Sequence, residues 1–212
     1  AGAGVRDRRH ALNNPHAHLR KEITVDEGLR SPMLSDPIKA LDICPRTDGA
    51  CALIYAAEGA AEKICPRPAW VHAAVNRHLY SYVGDVEWYP LRSLELAARE
   101  AYAKAGIREP LKEFGVMELY TPYSFANLSW IEALGLAKPG QGAKLIWDGV
   151  TDMGGQLPIN PSGGVISTNP IGATGLIRAA ECAHQIMGRC GARQVPGASL
   201  AMSTGFGGCF WS

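Results

Sequence analysis

The residues of this chain with the clearest chemical potential lie in the glycine-rich stretch 157–175. It reads Leu-Pro-Ile-Asn-Pro-Ser-Gly-Gly, then Val-Ile-Ser-Thr, then Asn-Pro-Ile-Gly-Ala-Thr-Gly. Ser162, Gly163 and Gly164 form a tight passage, in which glycine permits positive φ and a close approach of the backbone to a ligand. The passage 172–175 precedes a strong helix former, and N–H groups at a helix start can meet an anion or a developing oxyanion. Most such turns only reverse the chain, so this pattern alone leaves both interpretations open.

Strands and helices alternate around this stretch. The turn Asp48-Gly49 leads into an apolar run at 50–55 that predicts a strand buried on both faces, and 69–75 predicts another strand. An apolar face from Leu94 to Ala105, closed by Gly106, predicts an amphipathic helix over 91–106. We also expect helices at 57–63, 126–136 and 176–188, a strand before Glu118, and a strand-turn-strand over 198–211. This order predicts a layered α/β fold.

Two polar or aromatic segments carry weaker signals. Residues 1–31 are rich in Arg and His, and we expect a solvated surface loop there, with a short strand at 23–25 and Thr24 or Asp26 capping a turn. The aromatic segment 79–89 either lines an apolar substrate channel or packs as a loop or dimer contact.

Composition excludes several classes of protein. The chain has 212 residues, is 47% hydrophobic and 19% charged, and has a net charge of +1, which argues against nucleic acid or an anionic membrane as main partner. No stretch approaches the roughly 18 apolar residues that span a bilayer, so we expect a cytoplasmic protein without a membrane span. Six cysteines show no Cys-x-x-Cys pair or zinc spacing, and reduced thiols are expected, with no metal site. The chain begins at Ala1 and not at Met, so we expect a fragment or a processed chain.

The residue order in the stretch 157–175 resembles motifs of the thiolase superfamily, in which Asn-Pro-Ser-Gly-Gly precedes Gly-His-Pro and Gly-Ala-Thr-Gly. The sterol carrier protein-type thiolases and their lipid-transfer relatives are the most similar branch. The resemblance implies an incomplete thiolase-like α-β-α fold: residues 1–63 as the tail of the N-terminal domain and 64–212 as the C-terminal domain. The nucleophilic cysteine of the family would lie in the missing N-terminal half. The family's Asp-x-Cys-Pro passage is structural, so Cys44 is not a nucleophile candidate.

The resemblance also implies which residues occupy the catalytic positions. The strand-loop position falls on Tyr120 with Tyr123 nearby, the His of Gly-His-Pro is replaced by Asn169, and the final turn offers Ser203. Asn169 cannot titrate but can donate a hydrogen bond to an oxyanion, and Ser203 is a poor proton acceptor. Tyr120 can donate a proton or, with a lowered pKa, accept one. The glycine frame expected to approach coenzyme A thioesters comprises Ser162, Gly163, Gly164, Gly207 and Gly208.

Three functions remain open at the level of sequence. The first is a retro-aldol lyase for acyl-CoA thioesters in lipid or steroid side-chain degradation, with Tyr120, Tyr123 and Asn169 in the acid, base and donor roles. The second is an acyltransferase whose nucleophile lies in the missing half, and the third is a non-catalytic subunit that binds acyl-CoA or lipid. No bound cofactor is expected, with coenzyme A part of the substrate. Expected partners are the missing N-terminal half, a second copy in a homodimer, and a small acyl-CoA-binding OB-fold protein.

Overall fold

The computed structural model describes residues 1–79 and 89–207. The helices are α1 (Gly2–Ala11), α2 (Val25–Arg30), α3 (Ala61–Ile64), α4 (Arg92–Ala105), α5 (Pro110–Glu113), α6 (Ala126–Ala133), α7 (Gly142–Trp147), α8 (Gly164–Ser167) and α9 (Thr174–Met187). The strands are β1 (Met33–Ser35), β2 (Ile38–Lys39), β3 (Val116–Glu118) and β4 (Ala201–Ser203), and short 3-10 turns occupy Ala40–Asp42 and Gly191–Arg193.

A small parallel sheet forms the middle layer. β3 pairs in parallel with β4, and a bridge between Met117 and Ile159 adds an extended segment on the other edge of β3. Met117 and Leu119 lie in an apolar cluster with residues of α4, α6 and α7, whereas Glu118 bonds to Arg178 of α9. Successive strand residues thus serve opposite faces, as the two-residue period requires. The layered α-β-α arrangement is confirmed.

The predicted long helices form close to their predicted bounds. α4 buries Leu94, Ala97 and Ala98, and Gly106 ends it in the left-handed conformation at φ 74°. α9 ends in the same way at Gly188, with φ 72°. A left-handed residue after the last turn lets backbone N–H groups bond back to the final carbonyls, and glycine adopts that conformation without strain from a side chain.

The expectation of a surface loop over residues 1–31 is wrong for its first part. α1 is mostly buried, and its Arg6 and Asp7 side chains are 1% and 0% exposed. Arg6 donates to Asp7 and to the Thr151 hydroxyl, at 2.7 and 2.8 Å. Buried charges are tolerated when they are paired and hydrogen-bonded in this way. Residues 23–25 form no strand either, because Thr24 caps the start of α2 in a capping box with Glu27.

The predicted strands at 50–55 and 69–75 do not form in the described structure. Residues 48–57 and 69–77 carry neither helix nor regular strand, and Ile54 and Val71 are 90% and 64% exposed. A strand needs a neighbour to bond its N–H and C=O groups, and these two segments find none in the described part of the chain. The helix expected over 57–63 shortens to α3. Most of the aromatic segment 79–89 lies outside the described residues.

Cys44, Cys51, Cys65, Cys182 and Cys190 are free thiols, which confirms the expectation for these five residues. Cys209 lies outside the described residues. In the described ranges, no helix is both long and apolar enough to cross a bilayer.

Candidate active site

The loop that follows β3 carries Tyr120 and Tyr123 and is held from both sides. On one side, the Tyr120 N–H donates to the Thr204 hydroxyl at 2.8 Å, just beyond β4. On the other side, the Cys44 N–H donates to the Pro122 carbonyl at 2.9 Å, and Ile43 bridges to Tyr123 in antiparallel fashion. Backbone bonds therefore fix the loop between two segments that lie far apart in sequence.

Asn169 is 4% exposed, and each of its four polar atoms has at least one hydrogen-bond partner. The side-chain carbonyl accepts from the Thr174 hydroxyl at 2.8 Å, and the Nδ2 atom donates to the Cys44 sulfur at 3.1 Å. The backbone N–H and C=O of Asn169 both bond to Thr47, at 3.2 Å each. Gly172, with φ 92°, makes the turn that returns the chain to Thr174. The carboxamide is thus held in one orientation.

Cys44 lies between the tyrosine loop and Asn169. Burial raises the pKa of its thiol, and the hydrogen bond from Asn169 opposes that rise. Burial also raises the pKa of Tyr120, and the nearby Cys44 and Tyr123 add to this rise when they ionise. At neutral pH the Tyr120 phenol is therefore protonated and suits a donor, not a base. Of the two roles that the sequence left open, this pKa direction favours the donor, and a catalytic role for Tyr120 stays a prediction.

Both tyrosines of the loop stack with a phenylalanine ring. The Tyr120 ring stacks with Phe206 at 6.2 Å between centroids, and Tyr123 stacks with Phe125 at 5.4 Å. Tyr123 and Phe125 are 40% and 49% exposed. We call these four side chains the aromatic patch. It offers an apolar surface beside two phenol groups and a carboxamide.

In the final turn, Thr204 contacts the tyrosine loop, whereas the sequence suggested Ser203. The register pairs Ser203 with Glu118 at the end of the parallel sheet, whereas the next residue, Thr204, makes the bond to Tyr120. A catalytic role for Ser203 stays a prediction. Gly207 is partly buried directly after Phe206, and Gly208 lies outside the described residues.

The polar atoms of Ser162 face the interior. Its hydroxyl donates to Glu118 at 2.8 Å and accepts from Arg178 at 2.6 Å, while its N–H donates to Glu118 at 2.9 Å. Burial raises the pKa of Glu118 to about 7, although Arg178 opposes the rise. This cluster ties the loop to β3 and α9. Binding of a ligand by Ser162 remains a prediction.

Gly163 and Gly164 have the predicted positive φ, at 92° and 60°. The close approach that they allow in the described structure is internal. A Cβ on Gly163 would come within 2.5 Å of the Ala11 Cβ in α1, and one on Gly164 within 2.7 Å of the Asn160 Nδ2. Contact of these glycines with coenzyme A stays a prediction, since α1 already explains the glycine at 163 and Asn160 the glycine at 164.

A buried hydrogen-bond network around Asn160 holds the backbone that leads into Ser162, Gly163 and Gly164. Asn160, at φ 55°, donates from Nδ2 to Asp7 at 3.1 Å and accepts from the Leu119 N–H at 2.7 Å. His10 of α1 lies 3.1 Å from the Asn160 carbonyl through Nδ1 and accepts from the Met153 N–H at 3.2 Å. Left-handed φ at a residue other than glycine persists only where its surroundings fix it.

The structure brings Tyr120, Tyr123 and Asn169 together but adds residues that sequence reasoning missed. These are Cys44, Thr47, Thr174 and Thr204. Cys44 and Thr174 were visible in the motifs Asp-x-Cys-Pro and Gly-Ala-Thr-Gly, yet no local pattern shows that Cys44 meets Asn169 across 125 positions of sequence.

Comparison with known proteins now adds the family context. Residues 76–212 match the family model described as thiolase C-terminal domain-like. The chain is 36% identical over 214 residues to sterol carrier protein 2 of Bos taurus, covering 98% of this chain and 39% of that protein. It is 32% identical to an acetyl-CoA acetyltransferase of Methanothermobacter thermautotrophicus, covering 98% and 54%. It is 31% identical to the benzoylsuccinyl-CoA thiolase subunit BbsB of Thauera aromatica, covering 97% and 54%.

A solved structure shares the fold. The chain superposes on the structure of an Ltp2-ChsH2(DUF35) aldolase with a TM-score of 0.80 at 23% identity, covering 96% of this chain and 53% of that one. The chain therefore spans about two fifths to one half of the length of these relatives.

Proposed function

This chain belongs to the thiolase superfamily, and from that premise we propose that it acts on acyl-CoA thioesters by retro-aldol cleavage of a carbon–carbon bond. One observation carries the proposal: a protonated phenol, Tyr120, and a fixed carboxamide, Asn169, both lie near Cys44, which bonds to the Asn169 side chain and to the loop that carries Tyr120. Neither is a general base at neutral pH, which fits a reaction that needs hydrogen-bond donors more than a thiolate pair.

The reaction balances with these groups and solvent. A base removes the proton of the β-hydroxyl, the bond between Cα and Cβ breaks, and its electron pair forms the enolate of the shortened thioester. Asn169 donates to the enolate oxygen. Tyr120 delivers a proton to Cα and is reprotonated, through Tyr123 and water, by the proton that the β-hydroxyl releases. Tyr123 is the candidate to pass the hydroxyl proton to water, because its ring is 40% exposed. The products are a ketone or aldehyde and a shorter acyl-CoA.

The aromatic patch supports a bulky acyl group. Phe125 and Tyr123 present a stacked, half-exposed pair next to the polar cluster. Flat apolar groups gain free energy both from burial and from stacking on such rings. A ring-bearing acyl chain, as in steroid side-chain degradation, would use this surface, whereas an acetyl group would not reach it.

Two alternatives have support from specific relatives. Similarity to proteins named acetyl-CoA acetyltransferase and thiolase subunit favours an acyltransferase whose nucleophilic cysteine lies in an N-terminal half. Similarity to sterol carrier protein 2 favours a subunit that binds acyl-CoA or lipid without catalysis.

The proposal includes a thiolase-like N-terminal half as partner, within the same protein or as a separate chain. The exposed apolar residues Ile54 and Val71 lie in segments that form neither helix nor regular strand, and their backbone groups would pair with its strands. A homodimer and a small OB-fold partner are further proposals. The OB-fold proposal draws on the DUF35 component of the aldolase on which this chain superposes.

The test uses the complete natural protein with a β-hydroxyacyl-CoA. We expect release of a ketone or aldehyde and a shorter acyl-CoA, with kcat reduced about 10²–10⁴-fold in Tyr120→Phe, the range for loss of a proton-transfer group. Thiolysis of a 3-ketoacyl-CoA that requires free coenzyme A would instead establish the acyltransferase. Saturable acyl-CoA binding with neither activity would establish the binding subunit.

A further inference from the structure

We propose that Cys44 and Thr174 are positioning residues that clamp the Asn169 carboxamide from its two ends, so that its second N–H faces the thioester oxygen. This inference rests on the proposed function for its chemical purpose. The clamp itself rests on the two side-chain bonds, at 3.1 and 2.8 Å.

Thr174 holds the carbonyl oxygen of the Asn169 carboxamide. It is 1% exposed at the first position of α9, and its hydroxyl lies 2.8 Å from both the Asn169 side-chain oxygen and the Pro170 carbonyl. A hydroxyl has one proton to donate, and both neighbours here are carbonyl oxygens, which only accept. The two oxygens share that proton, and the structure places the carboxamide oxygen beside Thr174 and the Nδ2 atom beside Cys44.

Cys44 sets the opposite end. Its sulfur accepts one N–H of Nδ2, and its own backbone N–H is fixed by the Pro122 carbonyl at 2.9 Å. Pro122 lies in the loop that carries Tyr120. Cys44 therefore contacts both the Asn169 side chain and the backbone of the loop that carries Tyr120, although these two residues come from distant parts of the chain.

The second N–H of Nδ2 is the group this clamp makes available. Without the clamp, the carboxamide can rotate by half a turn and present its carbonyl oxygen to the substrate. An oxygen facing the enolate oxygen would repel the charge that develops there. Loss of one oriented donor to such an oxyanion costs about 10²–10³ in kcat.

The experiment compares Thr174→Val and Cys44→Ala with the conservative variants Thr174→Ser and Cys44→Ser, all in the complete protein. We expect kcat for β-hydroxyacyl-CoA cleavage to fall by about 10-fold or more in the first two, a part of the full donor effect. The Kd for the acyl-CoA should stay within about twofold, because the bond strengthens in the transition state. The serine variants should recover most of the loss. Cys65→Ala, at another half-buried free cysteine, serves as control and should retain wild-type kcat.

A second readout does not depend on turnover. The pH dependence of iodoacetamide alkylation gives the pKa of Cys44, which the N–H of Asn169 lowers. We expect this pKa to rise in Asn169→Ala and in Thr174→Val, where the carboxamide is no longer held, and to stay near the wild-type value in Thr174→Ser.

Several results would overturn the inference. An unchanged kcat in Thr174→Val and Cys44→Ala would do so, as would an unchanged thiol pKa in Thr174→Val. Equal losses in the valine and serine variants would mean that Thr174 only supports the fold. A wild-type protein that cleaves no β-hydroxyacyl-CoA refutes the proposed function and the thioester role together, while the thiol titration still reports separately on the clamp.

Discussion

Two regions of this molecule contain similar apolar residues, which are buried in one region and exposed in the other. We call α1 together with residues 92–207 the packed body, and residues 48–79 the open segment. In the packed body, Leu119 and Ile159 are 0% exposed, whereas Ile54 in the open segment is 90% exposed. Apolar runs predict burial in both regions. The difference shows that burial depends on whether a neighbouring element is present, and a sequence does not say which part of a protein supplies it.

The largest effect is expected from the removal of a buried charge in the packed body. Asp7→Ala would leave Arg6 buried without its ionic partner, because the two side chains bond at 2.7 Å and are nearly inaccessible. We expect a loss of about 3–5 kcal/mol in the free energy of unfolding, measured by urea denaturation. Asp26→Ala, which removes the exposed pair with Arg30, should cost no more than about 0.5 kcal/mol. Equal costs would show that α1 does not pack as described.

The second prediction compares one apolar residue from each region. Leu119→Ala should destabilise the isolated chain by about 2–5 kcal/mol, since it empties a filled core. Ile54→Ala should change the stability of the isolated chain by less than about 0.5 kcal/mol, as is usual for exposed sites. In the complete protein, Ile54→Ala should become as costly as a core truncation. If it stays neutral there as well, the proposed N-terminal half does not cover the open segment.

The smallest difference between two compared variants should come from a pair of glycines. Gly163 and Gly59 both have positive φ, at 92° and 80°, but only a Cβ on Gly163 would collide with another residue, Ala11. Gly59→Ala should cost about 1–2 kcal/mol from the left-handed backbone alone. Gly163→Ala should cost about 1–3 kcal/mol more, the usual range for overpacking. Thermal unfolding of both variants measures the difference, and equal shifts in Tm would exclude the contact with α1.

Local patterns predicted α4, α6 and α9 close to their bounds, because a helix bonds its own backbone groups. The apolar face at Leu94, Ala97 and Ala98 predicted α4, and the motif at Gly163 predicted a positive φ. The family motifs also led to Tyr120 and Asn169, and the structure bonds Cys44 both to the Asn169 side chain and to the loop that carries Tyr120.

Long-range pairing explains what the sequence did not reveal. The charged residues of α1 suggested a solvated loop. The helix is buried instead because Arg6 and Asp7 find partners such as Thr151, which lies 145 positions from Arg6. The contact of Cys44 with Asn169 spans 125 positions. The strand expected at 50–55 has the right composition, but its pairing partner is not in the described part of the chain. Each of these outcomes depends on a neighbour that no window of sequence contains.

The contact between Ala11 and Gly163 has a practical consequence for anyone who recombines this protein with its relatives. A crossover placed between residues 11 and 163 brings a foreign helix against a backbone that has no room for a larger side chain. Chimaeras that inherit both positions from one parent should fold, and those that mix them should lose soluble yield whenever the donor carries a bulkier residue at either place.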